Sequence, residues 1–196
     1  CIEYIKVLPS TENLGTSLPT VTGMLKRMVR DHLIIKNKNN EVFLTEYGEI
    51  SAKEQTKRFR LASKFVHEIL KIDLKNVFQE AHLLEHAISQ DVENAIEKLL
   101  NYPDKDPFGQ DIPGSKKTEK INIIPLSKTT KNKSYTISKI PPENPEFVDF
   151  LHTNKILPGS IITIHEVSDT RGIINIKINN NSVDLALNVA KTIWVK

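Results

Sequence analysis

Cysteine is almost missing from this chain of 196 residues: there is one, at position 1. No intramolecular disulfide framework is possible, which fits a reducing compartment and predicts a cytoplasmic protein. Glycine is sparse too, with seven residues, and none of them builds a Gly-rich phosphate loop. No apolar run approaches the roughly 18 to 20 residues that a membrane helix needs, so a soluble chain with no membrane partner is expected. The first residue is not Met, and no charged-then-apolar signal segment follows it, so the sequence is expected to begin inside a longer natural one. What is present is ordinary for a folded protein. A hydrophobic share of 39% with 26% charged residues excludes a wholly disordered polymer, and the length allows one to three compact units.

The net charge of +3, from 27 basic and 24 acidic residues, makes no case for nucleic acid by itself. Its distribution says more. Between Thr20 and Lys38 stand Lys26, Arg27, Arg30, Lys36 and Lys38 against Asp31 alone, a local basic stripe of the kind that faces phosphates.

Three textures follow one another along the chain. Ser17–Leu33 reads as a helix, with Ser17 as N-cap, Pro19 in the first turn and Val21, Met24, Leu25, Met28 and Val29 on one apolar face. Thr20, Thr22, Gly23, Lys26, Arg27 and Arg30 take the other face. Leu33–Lys36 and Glu41–Thr45 are short β-like runs joined by asparagines and Lys38, a hairpin whose tip is expected to offer lysines and asparagines to phosphates. A helix followed by such a hairpin outlines a winged helix-turn-helix. Ala52–Leu70 and Asn76–Leu100 then carry helical periodicity and form a natural dimerising pair. Asn101–Lys120 is rich in Pro, Gly, Asp and Lys and reads as a linker. Beyond it, Tyr135–Ile140, Ser160–Val167, Gly172–Ile178, Ser182–Leu187 and Thr192–Val195 read as strands of a small SH3-like barrel, interrupted by a short helix over Pro145–Thr153.

The sharpest chemistry lies in His82-Leu83-Leu84-Glu85-His86. Positions i, i+3 and i+4 share one helical face, so two imidazoles and a carboxylate can converge on one divalent ion. The same string matches the H-x-x-E-H pattern of a class of zinc peptidases. That chemistry needs a further carboxylate ligand and a large cleft, which a helix pair of this size does not offer. No nucleophile motif accompanies it, so the chain is read as a non-enzyme with no small organic substrate. A metal-independent winged-helix DNA binder is the other alternative.

With these parts in this order, the chain resembles the diphtheria-toxin-repressor (DtxR) family of metal-dependent transcription regulators. The resemblance rests on Ser17–Thr22, on Leu44-Thr45-Glu46-Tyr47-Gly48, on Glu80–His86, on Asp106-Pro107-Phe108-Gly109-Gln110-Asp111-Ile112-Pro113-Gly114, and on Leu157-Pro158-Gly159. It implies a mainly α N-terminal part, with a winged helix-turn-helix DNA-binding domain over residues 1–51 and a metal-binding and dimerisation domain over 52–108. A linker over 109–120 and an all-β SH3-like (FeoA-like) domain over 121–196 would follow. It further implies a homodimer that binds a pseudo-palindromic double-stranded DNA operator when loaded with Fe2+. Mn2+ is the alternative metal, and Co2+, Ni2+ or Zn2+ are surrogates.

By position, Glu85 and His86 match the family's most regular ligands. His82 stands where iron-responsive members carry Cys and manganese-responsive members Glu. Glu3 matches a ligand in the first helix, so the implied metal site is Glu3, His82, Glu85 and His86. An ion joining Glu3 to residues 82–86 would set the angle between the DNA-reading helices and the dimer axis. Ser17, Pro19, Thr20 and Thr22 match positions that meet bases or phosphates, while Arg27, Lys36 and Lys38 are expected on phosphates.

Two departures from the pattern stand out. At the family's second metal site this chain has Phe59, Ser63 and Phe78, which cannot hold an ion. One metal per subunit is therefore expected, with Glu143 and Glu146 as surface carboxylates and a rebuilt site around His67 as the alternative. Between Tyr4 and Ser17 the sequence is also shorter than the roughly 25 residues that two helices and their turns need, so residues are expected to be missing between about Val7 and Asn13.

Overall fold

The structure, a computed structural model, describes residues 18–39, 41–115, 122–179 and 181–196. Glu3, Ser17 and the expected interruption near residues 7–13 lie outside them. The chain divides into two compact units, Cys1–Thr56 and Lys57–Lys196.

In the first unit, helix α1 (Leu18–Arg30) leads into the hairpin of β1 (Ile34–Lys36) and β2 (Val42–Leu44), paired antiparallel with Ile34 opposite Leu44. The expected helix extended to Leu33, but it ends earlier. His32 takes a positive φ of 56°, its N–H donates to Val29 O at 3.1 Å, and Leu33 N–H donates to Met28 O at 2.9 Å. That paired closure satisfies the helix's last carbonyls and turns the chain. Of the expected apolar face, Val21, Leu25 and Met28 are half-buried, whereas Met24 and Val29 are exposed.

The hairpin tip corrects another expectation. Asn37, exposed at the tip, is engaged in the turn itself: its Oδ1 accepts the N–H groups of Asn39 and Glu41, both at 2.9 Å, and its Nδ2 donates to Glu41 at 2.6 Å. The asparagine mimics a backbone turn. Behind the hairpin, Thr45 donates its hydroxyl to His32 O at 2.6 Å and accepts Gly48 N–H at 2.9 Å, capping helix α2 (Glu46–Glu68). Gly48 lies so close to the Leu33 carbonyl that any Cβ would overlap it. The Thr45-Glu46-Tyr47-Gly48 string is thus a cap plus a close approach of backbones.

The second unit contains the latter part of α2, helices α3 (Leu74–Glu85) and α4 (Gln90–Leu99), and a six-stranded sheet. The expectation of one helix over Asn76–Leu100 is corrected. The chain breaks between Glu85 and Gln90, where Ser89 turns extended and accepts Val92 N–H at 3.4 Å as the N-cap of α4. Asp91 and Glu93 follow in the first turn, where they complement the helix dipole. Between α2 and α4, Glu93 is buried beneath Lys57 at 3.7 Å and Arg58 at 3.2 Å, and Lys57 also reaches Glu97 at 2.8 Å.

The sheet comprises β3 (Ile124–Pro125), β4 (Ser134–Lys139), β5 (Ile161–Ser168), β6 (Ile173–Ile178), β7 (Asn181–Ala186) and β8 (Trp194–Val195), in the order β3-β8-β4-β5-β6-β7, all antiparallel. Every expected strand is present. Among the described residues the end strands β3 and β7 do not pair, so the SH3-like fold is an unclosed barrel. Helix α5 (Pro145–Thr153) starts where Asn144 accepts Phe147 N–H at 2.9 Å, with Pro145 in the first turn. Helix α6 (Leu187–Ala190) is a single turn before β8.

One buried cluster runs from Val66, Leu74 and Val77 on α2 and α3 into Ile137, Val148, Leu151, Ile162, Ile164, Ile174 and Ile176. A second contains Leu61, Ala62, Ala81, Ile88, Ile96 and Ile112. The helical pair and the sheet therefore share a core. The residues expected to start a linker take part in these cores: Phe108 is fully buried in the first, Ile112 is 1% exposed in the second, and Lys105 pairs with Asp111 in an isolated bridge. Composition misled because Pro, Gly and Asp serve here in tight turns rather than in a tether. No helix among the described residues is long and apolar enough to cross a membrane.

Candidate metal centre

His82 and Glu85 occupy the last turn of α3, and His86 caps it with helical backbone angles, its N–H donating to Leu84 O. The helix stops here because Ser89 starts the next one. The three side chains thus gather at a helix C-terminus, where unsatisfied carbonyls give a negative potential that favours a cation.

Glu85 is the buried member, with 6% of its side chain exposed, while His82 and His86 are 61% and 65% exposed. His82 Nδ1 lies 2.9 Å from Glu85 Oε1, and His86 Nε2 lies 3.8 Å from the same oxygen. The two imidazole rings meet edge to face, their centroids 5.1 Å apart. One ligand atom from each residue lies within 4.8 Å of the others, and among the described residues this is the group of His, Cys, Asp and Glu that could hold a metal ion. Two neutral imidazoles and one carboxylate fit a borderline divalent transition metal, with further positions left for water or another ligand. The carboxylate already orients His82, so the donors are gathered before any ion arrives.

The positions expected to lack a second site are packed instead. Phe59 and Phe78 meet edge to face with centroids 5.3 Å apart, and fully buried Ser63 donates to Phe59 O at 2.9 Å. Glu143 and Glu146 are exposed. His67 lines a cavity of about 310 Å3 with Asp73, Asp149 and His152, but its Nδ1 is 3.1 Å from Ile72 O and among the described residues no metal-capable group forms there.

On the first unit, Pro19 and Thr20 stand in the first turn of α1, and Thr22 and Arg27 are exposed further along it. Lys36 and Lys38 are exposed on the hairpin. Arg30 bonds Asp31 at 2.9 Å, which moderates its charge. The sequence pattern found all three residues of this cluster; it missed Ser89, whose signal was a Ser-x-x start with acids in the following turn.

A basic helix and hairpin, a gathered His/Glu/His donor set and an attached β domain define a metal-binding regulator, and the comparisons agree. Residues 45–114 match the model of the iron dependent repressor, metal binding and dimerisation domain, and residues 124–196 match the FeoA domain. The chain is 28% identical over 167 residues to the iron-dependent repressor IdeR of Mycobacterium tuberculosis (strain ATCC 25618 / H37Rv), covering 85% of this chain and 71% of that protein. It is 34% identical over 103 residues to the diphtheria toxin repressor of Corynebacterium diphtheriae, covering 53% of this chain and 46% of that one. The solved structure of a manganese-dependent transcriptional repressor in complex with manganese superposes with a TM-score of 0.83 at 26% identity, over 95% of this chain and 87% of the other. The matched domain models and relatives support a metal-dependent regulator of the diphtheria-toxin-repressor family, and those relatives are named as repressors.

Proposed function

We propose that this protein is a metal-activated transcriptional repressor of iron or manganese homeostasis, working in the cytoplasm as a homodimer on a pseudo-palindromic double-stranded DNA operator. The observation that carries the reading is the convergence of His82, Glu85 and His86 at the end of α3, inside the segment that matches the metal binding and dimerisation domain. The family resemblance adds Glu3 as a further ligand. Fe2+ is the favoured metal, on the strength of the attached FeoA domain and the iron-dependent relatives. Mn2+ is the second reading, favoured by a donor set of nitrogen and oxygen without sulfur.

When bound, the ion supplies a multidentate cross-link between its ligands, and the protein's residues do the rest. Glu85 would contribute a buried carboxylate oxygen to the ion, and His82 and His86 one imidazole nitrogen each. Single-site occupancy is supported by the Phe59–Phe78 contact at the alternative location. Exposed Leu83, Val92, Leu99 and Tyr102 supply apolar surface for the second copy. Ser17, Pro19, Thr20 and Thr22 face the DNA, with Arg27, Lys36 and Lys38 on phosphates. Metal and DNA tighten each other's binding reciprocally.

The test is selection from a random duplex library with Mn2+, with Fe2+ under anaerobic conditions, and with chelator. Enrichment of an inverted repeat only with metal, lost in Glu85→Gln, is expected. Equal enrichment in chelator would establish the metal-independent alternative.

A further inference from the structure

The segment after α4 enters both cores of the second unit with residues four apart. Phe108 is fully buried in the cluster shared with the sheet, and Ile112 is buried in the cluster containing Ala81 and Ile88. Ala81 immediately precedes His82, and Ile88 lies two residues beyond His86. Ile112 therefore shares a core with residues on both sides of the metal-capable turn.

Asp106 ties this segment. It is 5% exposed, and its Oδ1 accepts Phe108 N–H at 2.9 Å and Gln110 N–H at 2.8 Å. Its backbone N–H donates to Gln110 O at 3.0 Å, and Gly109 N–H donates back to Asp106 O at 3.1 Å. Ile140 N–H on the strand side donates to Phe108 O at 3.0 Å, and Ile112 N–H donates to Asp104 O at 2.8 Å. Gly109, at φ 81°, lies against the Ser138 carbonyl where a Cβ would overlap. Both side-chain bonds of Asp106 end on one oxygen, so a proton on Oδ2 breaks neither.

We propose that Asp106 is a proton-binding positioning residue of the staple that joins the core behind the metal-capable helix end to the core of the sheet, its proton relieving the cost of a buried charge while both N–H bonds are kept. Its surroundings favour that role. From α2 come Arg60 and Lys64, from its own loop Lys105 and Asp111, and from β4 Lys139. The cations are divided: Lys105 and Lys139 bond Asp111 at 2.6 and 2.5 Å, and Arg60 donates to the Asp111 carbonyl. Burial outweighs the two N–H bonds and the Arg60 charge and pushes the Asp106 carboxyl up to about 6. Because the folded value lies above the unfolded one, the native state holds more protons between about pH 4 and 6. This site's contribution to stability is then largest in acid and falls as pH rises through about 6. It lowers the unfolding constant about tenfold at pH 5 relative to pH 7.5.

The inference stands apart from the metal reading, and its test is run without metal. Carboxyl-carbon NMR on the wild-type chain reads Asp106 directly: a midpoint near 6 is expected, and one below about 4.5 overturns the proposal. Urea unfolding of wild type and Asp106→Asn at about pH 5 and pH 7.5 reads the linkage. The wild type should gain about tenfold in acid beyond whatever the variant gains, and identical pH profiles for the two refute it. Should the Asn variant not fold, the NMR midpoint decides alone.

Discussion

Replacing Phe108 by Ala separates a staple from a tether. If residues 101–115 were the solvated linker that their composition describes, truncating a surface side chain would change stability by less than about 0.5 kcal/mol. Here the ring is fully buried among Ile137, Ile140, Val148 and the sheet core. An aromatic side chain of this size buries upward of 150 Å2, which at about 25 cal/mol per Å2 is about 4 kcal/mol, within the roughly 3 to 5 kcal/mol measured for buried Phe→Ala changes. For a unit of this size about 3 °C is lost per kcal/mol, so the melting midpoint should fall by about 10 °C. Calorimetry and urea denaturation of metal-free protein read it. A loss below about 1 kcal/mol would refute the packing argument, while Ile112→Ala, in the neighbouring cluster, should cost about 2 to 4 kcal/mol by the same reasoning.

Further expectations are as concrete. Calorimetric titration with Mn2+ should saturate at one tight ion per chain, and two would show that a second site has been rebuilt despite Phe59 and Phe78. Arg27→Ala should weaken operator binding and lower the salt slope by about one; an unchanged slope removes that residue from the phosphate footprint. Gly48→Ala should destabilise the first unit by more than about 1 kcal/mol, because its Cβ meets the Leu33 carbonyl and neither backbone can yield cheaply; circular dichroism melting checks this.

Much of the chain was legible before any coordinates. Strands β4 to β8 and helix α5 were marked by β-branched runs and by an Asn-Pro start, signals that act locally. The donor triad was legible because spacing on one helix converts directly into proximity. The break between α3 and α4 was not: Ala81, Leu84, Ile88 and Val92 continue the helical spacing through it, so periodicity alone sees one helix. Asn37 was misread for a related reason. Its composition fits either a phosphate contact or a turn, and the hydrogen bonds to Asn39 and Glu41 decide between them.

By itself the sequence determined which side chains can bind a metal, where the basic surface lies, and the order of helix, hairpin, helical pair and β domain. These are properties of residue type and of near neighbours along the chain. Only the tertiary structure decided that the Pro- and Gly-rich stretch is a staple, that Glu85 is the buried donor, and that Phe59 closes on Phe78. Each of these depends on contacts between residues distant in sequence, whose burial no local pattern encodes.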